Sequence, residues 1–373
     1  MKYFVLLIII LISCGDAPEV STEESTEYTE SPYSCHPDTL EKWKEWAQNS
    51  DEGLWEEDPD HSITLTYTRS YAGEEDATPA FYSIRDLEIA GDSIFIADHK
   101  GFRIVCMGVD GSVIWDSGEQ GEGPGHYNSI YSIAVNDEYV LAADAGLNKV
   151  EILDRSGELL ELVTVLNPND VLFINDSTFA VLSSLEPGGD VHVYRCSGEK
   201  LFSFGEGYWY DLPENLIMRT QDSFNCLMMS DSVLLVSRWE TYHIYPYHIG
   251  SRNVQSDIAR PYPSEAMPPD IRFDDGVMNG MFYRNMGKLF IGPEGMLNVE
   301  LPGFSTSGDI LTGRNEERGC VKIVDRYDWD WNYLDSYCIP FNGGVQAYSE
   351  EYGYFVHDYE TETLLRFTAQ VGK

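Results

Sequence analysis

The amino-acid sequence predicts an all-β fold, a six-bladed β-propeller, with a seven-bladed ring as the alternative. A block of short apolar strands and glycine turns recurs along the chain at a step of 46 residues, as from Asp98 to Asp144. A period of about 40 to 50 residues of this kind is typical of propeller blades. Tyrosine (24) and glycine (32) are abundant, which favours strands and turns. Hydrophobic residues occupy 43% of the 373 positions, enough for a large core.

The repeat is clearest in its first two copies, where residues 94–98 align with 140–144 and residues 103–105 align with 149–151. Looser copies of the first strand follow at 179–183, 233–237, 296–300 and 354–358. Looser copies of the second strand follow at 191–194, 243–245, 321–323 and 364–366. Because the second strand can be aligned six times, six blades are preferred, although the length of the chain also divides into seven.

The two ends of the repeat region are expected to meet. Residues 63–67 alternate apolar and polar side chains before the first blade, whereas the sixth blade ends one strand short after Phe367. We therefore expect the N-terminal strand to supply the outer strand of the last blade, which closes the ring and leaves no unpaired edge there.

Residues 1–13 have the form of a bacterial secretory signal. Lys2 precedes an unbroken apolar run, residues 3–12, which is too short for a membrane-spanning helix. The sequence Leu-Ile-Ser-Cys that ends at Cys14 resembles a lipobox, so we expect cleavage before Cys14 and lipidation of its thiol, which anchors the protein to the membrane. An ordinary signal that contains a cysteine is the alternative. Gly15 follows rather than Asp, which favours the outer membrane, with the protein facing the periplasm or the surface.

The remaining N-terminal residues divide into two segments before the propeller, which is expected to span 61–373. Residues 14–34 are acidic, contain no Lys or Arg, and are expected to stay extended as a tether. Residues 35–60 are expected to hold a short helix that docks on the propeller. The whole chain carries 24 Lys and Arg against 63 Asp and Glu, a net charge of −39. This acidic protein repels polyanions, which excludes sequence-independent binding of nucleic acid.

One segment carries a family resemblance. Residues 116–127 read Asp-Ser-Gly-Glu-Gln-Gly-Glu-Gly-Pro-Gly-His-Tyr, and an Ile-Ala-Val strand and an Ala-Asp pair follow them. This pattern resembles the NHL repeat, although His126 stands where those repeats usually carry Glu or Asp. The whole chain is similar to the six-bladed propeller lipoproteins of Gram-negative bacteria. The resemblance implies a fold and a place in the cell envelope, but no reaction.

The longest connections are expected to share one side of the propeller. In a four-stranded meander, the turn between the second and third strands and the crossover to the next blade leave the same side. Segments 118–129, 259–283 and 302–319 fall at such places, and loops on a rigid scaffold are where binding sites usually lie. We expect this face to bind a protein, peptide or polymer. The candidate ligand-binding residues are Glu119, Glu122, His126, Asp274, Asp275, Arg314 and Arg318.

A set of carboxylates ends the second strand of several blades. Its members are Asp98, Asp144, Glu300 and Asp358. One hypothesis is a ring near the central channel that binds Ca²⁺, whose ligands are oxygen atoms. The favoured alternative is that each carboxylate accepts backbone N–H bonds in its own turn.

The sequence contains no motif that identifies an enzyme. It has no nucleophile elbow, no histidines at metal-binding spacing and no phosphate-binding loop. A non-catalytic binding or scaffold role is therefore the first hypothesis. The alternative is a metal-dependent hydrolase or lyase with its site in the central channel, because a site assembled from different blades is not recognisable in a single sequence.

The cysteines suggest one disulfide. Removing Cys14 leaves six of the seven, in a compartment where disulfides can form. Cys320 and Cys338 are equally distant from Trp329, the expected centre of a hairpin turn, which places them opposite each other on paired strands. Two free thiols are the alternative. Cys106 and Cys196 are expected to be buried free thiols in different blades.

Overall fold

A computed structural model describes the chain in twelve stretches. They are residues 63–71, 80–183, 185–205, 224–238, 243–255, 258–259, 270–274, 277–281, 287–302, 322–339, 343–358 and 362–371. The expected signal, tether and N-terminal helix lie outside these residues, so the predictions for residues 1–60 remain predictions. None of the described residues belongs to a helix with the length and apolarity that a membrane span requires.

Among the described residues, the ring consists of six antiparallel sheets, or blades, five of four strands and one of five, and we call the four strands common to all of them a to d from the innermost outwards. Blade 1 contains β2 (Ile84–Ala90), β3 (Ser93–Asp98), β4 (Arg103–Gly108) and β5 (Val113–Ser117). Blade 2 contains β8 (Ile130–Val135), β9 (Tyr139–Asp144), β10 (Lys149–Asp154) and β11 (Leu159–Thr164). Blade 3 contains β12 (Asp170–Asn175), β13 (Thr178–Leu182), β14 (Val191–Arg195) and β15 (Lys200–Phe204).

The other three blades follow the same order. Blade 4 contains β16 (Phe224–Ser230), β17 (Val233–Arg238), β18 (His243–His248) and β19 (Asn253–Val254), and β20 (Ile258–Ala259) also pairs with β18. Blade 5 contains β23 (Leu289–Ile291), β24 (Leu297–Pro302), β25 (Lys322–Tyr327) and β26 (Tyr333–Ile339), with a single 3-10 turn at Pro293–Gly295. Blade 6 contains β27 (Gly343–Ser349), β28 (Gly353–Asp358), β29 (Thr363–Val371) and β1 (Ile63–Ser70).

The blades form a closed ring around a central channel. The a strands contact one another in the cyclic order β2, β8, β12, β16, β23 and β27, and β27 returns to β2. The prediction of six blades is thereby confirmed, and the aligned sequence copies coincide with strands b and c. Between blades, apolar side chains interdigitate; Phe95 and Ile104 of blade 1, for example, share a buried cluster with Ile133 and Val140 of blade 2.

Strand β1 closes the ring, as the sequence predicts. It pairs antiparallel with β29 from Ile63 opposite Val371 to Ser70 opposite Leu365. Ile63 is buried in a cluster with Phe367 of β29 and Val345 of β27. The strand therefore covers an edge of β29 that would otherwise present unpaired backbone groups.

The meander defines two faces of the ring. The b–c turns and d–a crossovers leave what we call the loop face, and the a–b and c–d turns leave the opposite turn face. Segment 118–129 connects β5 to β8, segment 259–283 lies between blades 4 and 5, and segment 302–319 lies between β24 and β25. All three thus lie between strands that end at the loop face. Segment 259–283, expected to be a loop, also contains a hairpin formed by β21 (Asp270–Asp274) and β22 (Val277–Met281).

The hairpin of β25 and β26 corrects the geometric argument for a disulfide. Arg326 pairs with Asp335, so the turn is centred between Asp330 and Trp331 and not at Trp329. The residue opposite Cys338 is Ile323. Cys320 lies outside the described residues, so its bridge to Cys338 stays a prediction, now without the support of equal distances from the turn.

Three other cysteines are described, and their thiols are free. Cys106 is buried, as the sequence predicts, whereas Cys196 and Cys226 are only partly buried. Burial raises the pKa of Cys106 and of Cys196 to about 11, so both remain protonated thiols at neutral pH.

The role of β1 can be tested by truncation. A chain that starts at residue 63 should unfold in a single cooperative transition. A chain that starts at residue 71 should lose at least about 3 kcal/mol of stability, because the buried side chain of Ile63 and the ladder to β29 are both removed. Thermal unfolding and size-exclusion chromatography compare the two. Equal melting temperatures and equally monomeric elution would contradict closure by β1.

Candidate functional site

The glycine-rich crossover from blade 1 to blade 2 is held by a buried ion pair. Lys149 Nζ lies 2.6 Å from Glu151 Oε1 and donates to the carbonyl oxygens of Gly123 at 3.0 Å and His126 at 2.6 Å. Glu151 Oε1 also accepts the backbone N–H of Gly125 at 2.8 Å. Because both charged groups are buried, each satisfies the other and both bind the loop backbone. This arrangement fixes the shape of the loop on the top of blade 2.

Within the loop, backbone and side-chain groups approach one another closely. β6 (Glu119–Gln120) and β7 (His126–Tyr127) pair in parallel across its base. Tyr127 is fully buried below it, with Lys149 Nζ 5.1 Å from the centre of its ring. Burial, together with the nearby Glu151 carboxylate, raises the pKa of Tyr127 well above its usual value, so its hydroxyl stays protonated. A Cβ at Gly118 would lie 2.6 Å from the Tyr127 ring, which explains the glycine there.

Three of the predicted ligand-binding residues lie on this loop. Glu119 Oε1 and His126 Nε2 are 2.9 Å apart, and the Glu119 side chain is exposed. Glu122 is also exposed, at the tip of the loop. The structure therefore presents these residues on the loop face. Asp274 ends β21, whose side chains are not described, and Asp275, Arg314 and Arg318 lie outside the described residues.

Two of the four carboxylates considered as Ca²⁺ ligands in the sequence accept hydrogen bonds from backbone N–H groups. Asp98 Oδ1 accepts the N–H groups of Tyr82, Ser83 and Gly101 at 3.0–3.2 Å. Asp144 accepts the equivalent groups, from Asn128, Ser129 and Leu147, at 2.7–3.0 Å. Each carboxylate thus joins the b–c turn of its own blade to the incoming crossover. For these two residues, the structure shows the turn contacts that the favoured alternative predicts.

The other two carboxylates of that set have different surroundings. Glu300 Oε2 accepts the N–H of Val345 at 2.7 Å and so connects blade 5 to blade 6. Asp358 ends β28 opposite Thr363. Across the described part of the chain, His, Cys, Asp and Glu side chains do not form a group of three or more that could hold a metal ion.

Aromatic and cationic side chains surround the channel on the loop face at blades 1 and 2. The Arg85 guanidinium lies 4.6 Å from the centre of the Tyr131 ring, and the His99 ring lies 5.9 Å from it. Both Arg85 and Tyr131 sit at irregularities in the pairing of strand a, and such bulges redirect a side chain. Tyr82, next to the His99 turn, is 62% exposed. We call these four residues the rim.

Below the rim, polar side chains of successive a strands form a chain of hydrogen bonds. Asp86 Oδ2 accepts the N–H of Ile133 at 2.9 Å and lies 2.9 Å from Ser132 Oγ. Ser132 Oγ lies 2.6 Å from Asp170 Oδ1, and Asp170 Oδ2 accepts the N–H of Cys226 at 2.7 Å. These contacts connect blades 1, 2, 3 and 4 in order.

Lys288 completes the connection from the other side of the ring. Its ammonium donates to the Gln346 carbonyl of blade 6 at 2.6 Å and to Asp86 Oδ1 of blade 1 at 2.6 Å. Lys288 precedes β23, so its side chain reaches from blade 5 past blade 6. Burial alone would lower the pKa of Lys288, but Asp86 and Glu88 together outweigh this effect and raise it. The group is therefore an ammonium at neutral pH.

Two carboxyl groups of this channel cluster, Glu88 and Asp170, have raised pKa values. Loss of hydration raises the pKa of Glu88 to about 8; Lys288 opposes the rise, and the charges of Asp86 and Asp170 add to it. Loss of hydration and the charge of Asp86 raise the pKa of Asp170 to about 6, against the hydrogen bond from Ser132. Loss of hydration thus favours the protonated form of both carboxyl groups, compared with a carboxyl group in water.

The sequence analysis missed this channel cluster, although one signal was present. Asp86 and Ser132 occupy the same position of the 46-residue repeat, so a polar residue recurs at this place of the inner strand. Asp170 takes the same place in blade 3. The contribution of Lys288 had no comparable signal, because it comes from a distant blade and depends on closure of the ring.

The comparisons with known proteins support the fold. No family model matches the chain, and no curated protein matches its sequence. A solved structure of a DUF4221 family member from Bacteroides vulgatus has a TM-score of 0.52 at 9% identity, covering 84% of this chain and 99% of that one. A Bacteroides fragilis NCTC 9343 protein described as exported has a TM-score of 0.50 at 11% identity, covering 83% of this chain and 96% of that one. At these identities the similarity extends to the propeller fold alone.

The raised pKa of Glu88 predicts how stability depends on pH. The folded protein keeps the Glu88 proton up to pH about 8, whereas the unfolded chain releases it near 4.5. The folded state thus binds more protons in this window, and the free energy of unfolding should fall as pH rises through it. Asp170 acts in the same direction between 3.8 and about 6.

The variant Glu88→Gln isolates this effect. Its free energy of unfolding should fall less between pH 5 and pH 8 than that of the unaltered protein, and above pH 8 the variant should be the more stable of the two. Urea unfolding at several pH values measures how the free energy of unfolding changes with pH in the variant and in the unaltered protein. Glu138→Gln, at an exposed glutamate of the turn face, should keep the original slope. Parallel curves for Glu88→Gln and the unaltered protein would contradict the placement of a proton on Glu88.

Proposed function

We propose that the protein is an exported, lipid-anchored binding protein of the bacterial cell envelope, whose loop face binds a protein, peptide or polymer without catalysing a reaction. The observation that carries this proposal is the loop at residues 118–127, which the buried pair of Lys149 and Glu151 holds in one shape. A loop that is already ordered loses little conformational entropy when it binds, which favours affinity.

The chemistry of the face indicates the kind of partner. The loop presents Glu119 and Glu122, the rim adds the exposed ring of Tyr82, and the whole chain has a net charge of −39. A neutral or basic partner with apolar groups fits these surfaces, whereas a polyanion is repelled. We therefore expect no binding of nucleic acid.

The direction of β1 supports a particular arrangement on the membrane. β1 is a d strand, so it begins at Ile63 on the turn face and ends at the loop face. A chain anchored through Cys14 thus enters the propeller from the turn face. The loop face is then the end of the propeller opposite the point where the tether enters, where a partner can reach it.

The alternative is a metal-dependent hydrolase or lyase with its site in the channel. Ionisable groups with raised pKa values are found in the channel, and such groups occur at catalytic sites as well as in structural networks. Within the described residues, however, the carboxylates of this network are engaged with backbone N–H groups, a hydroxyl or Lys288, apart from Glu88. We therefore give preference to binding.

Site-specific photo-crosslinking in intact cells tests the binding face. A photoreactive residue at position 122, on the loop face, should form covalent adducts of defined mass, because a partner bound there lies within reach of the probe. The matched control is position 158, which is also an exposed glutamate but belongs to the c–d turn of blade 2 on the turn face. Adducts of equal yield at both positions, or none at position 122, would overturn the proposal.

The lipid anchor has its own test. In cells fed a labelled fatty acid, Cys14→Ala should abolish incorporation of the label and release the protein from the membrane fraction, because acyl chains supply the anchoring energy. Cys35→Ala, which removes the next cysteine along the chain, is the control and should remain labelled and membrane-bound. Retention of the label in Cys14→Ala would show that the lipid is attached elsewhere, and an unlabelled unaltered protein would show that there is no lipid anchor.

A further inference from the structure

The c–d turn of blade 5 carries a tryptophan where the same turn of other blades carries glycine. Trp331 has a φ of 68°, and its backbone N–H donates to the Asp328 carbonyl at 3.1 Å. The equivalent position of blades 1, 2 and 3 holds Gly111, Gly157 and Gly198, with φ values of 85°, 85° and 82°. A bulky residue is rarely found in this left-handed region, whereas glycine adopts it without strain. The turn itself therefore does not require an indole at this position.

Neighbouring groups hold this turn in one shape. Asp328 Oδ1 accepts the N–H groups of Asp330 and Asn332, each at 2.9 Å. The indole N–H of Trp329 donates to the Gly295 carbonyl at 2.9 Å, which joins the c–d turn to the a–b turn of the same blade. A side chain on an ordered turn loses little conformational entropy when another surface covers it.

The indole of Trp331 is not used by the rest of the described chain. Within those residues it forms no hydrogen bond, aromatic contact or cation–π contact, and it is partly exposed. Two further apolar side chains are exposed on the adjoining strands. Leu334, the second residue of β26, is 40% exposed, and Tyr67 of β1, which contacts β26, is 56% exposed. We call Tyr67, Trp331 and Leu334 the apolar patch.

The apolar patch lies beside the point where the N-terminal part of the chain joins the propeller. β1 begins at Ile63 on the turn face and contacts β26 of blade 5. With lipid on Cys14, the 49 residues from Cys14 to residue 62 separate this point from the bilayer. A flexible chain of that length has a root-mean-square end-to-end distance of about 40 Å, so the bilayer stays within reach of the turn face. Because the tether makes the contact intramolecular, a few side chains are enough to orient the ring.

We propose that the apolar patch inserts into the interfacial region of a phospholipid bilayer and turns the turn face of the anchored propeller towards the membrane. Tryptophan and tyrosine are enriched at this depth, because their rings are apolar while their N–H or O–H groups stay hydrated. Exposed carboxylates stand near the patch, at Asp330 in the same turn and at Glu294 in the a–b turn. Zwitterionic lipid is therefore preferred over anionic lipid.

This inference rests on the proposed lipid anchor, because a contact made by three side chains is too small to hold the protein on a membrane unaided. It adds an orientation that the anchor alone does not fix. With the turn face on the bilayer, the loop face with residues 118–127 is presented to partners.

Photo-crosslinking to lipid tests the contact. The full, lipidated chain, with a photoreactive residue at position 334, is reconstituted into phosphatidylcholine vesicles that contain a radiolabelled phospholipid. Position 160 is the matched control, because Leu160 is also the second residue of a d strand and is 52% exposed, but Gly157 stands in the turn before it. Lipid adducts should be at least about fivefold more abundant at 334 than at 160, since burial of the patch favours one orientation. Equal yields, or protein adducts instead of lipid adducts at 334 in intact cells, would overturn the proposal.

The variant Trp331→Gly separates a membrane contact from a purely structural role. It should reduce the lipid adducts at position 334 to the level at position 160, because the indole is lost. Its urea midpoint of unfolding should not fall, because glycine relieves the left-handed backbone. A lower midpoint or an unchanged yield of adducts would contradict the proposal.

Flotation of the vesicles distinguishes failure of the anchor from failure of the contact. Unaltered protein that does not float with the vesicles lacks the lipid anchor, which overturns the proposed function and this inference together. Unaltered protein that floats but gives equal lipid adducts at positions 334 and 160 is anchored without a fixed orientation, which overturns this inference alone.

Discussion

The fold depends on how the backbone N–H groups at the inner edge of each blade find hydrogen-bond acceptors. Each a strand pairs with only one neighbour, so its other edge presents backbone N–H groups towards the channel. Side chains of the preceding blade accept several of these groups: Asp86 binds Ile133, Asp170 binds Cys226, and Glu300 binds Val345. The same contacts set the angle between blades. The series returns to its start where β1 completes blade 6 and Lys288 bridges blades 5, 6 and 1.

The inner ring also determines where charge can be tolerated. Asp86, Asp170 and Lys288 are held in a poorly hydrated channel because hydrogen bonds fix each of them. Glu88 lies in the same electrostatic surroundings, and loss of hydration raises its pKa. Hydrogen bonds also fix the buried pair of Lys149 and Glu151 at the loop face. This pair holds the crossover loop between blades 1 and 2 in place. Both networks connect the scaffold to surfaces that a ligand can reach.

The sequence predicted the architecture because the blade is a local pattern. The alignment of residues 94–98 with 140–144 identified strand b, and the missing last strand identified the closing role of β1. The sites could not be predicted in the same way. The partner of Asp86 is Lys288, 202 residues later, and only the closed ring brings them together. A difference of three residues in register defeated the argument from Trp329, because Cys338 lies opposite Ile323 and not opposite position 320.

Hydrogen exchange at individual amides tests the central claim that carboxylates of one blade hold the inner edge of the next. The N–H groups of Ile133 and Cys226 donate to the carboxylates of Asp86 and Asp170 and not to a neighbouring strand. These hydrogen bonds should protect both amides from exchange. They should exchange as slowly as ladder amides of β9, and Asp86→Ala should accelerate exchange at Ile133 while Cys226 stays protected. Fast exchange at both amides in the unaltered protein, or no change at Ile133 in the variant, would contradict the account.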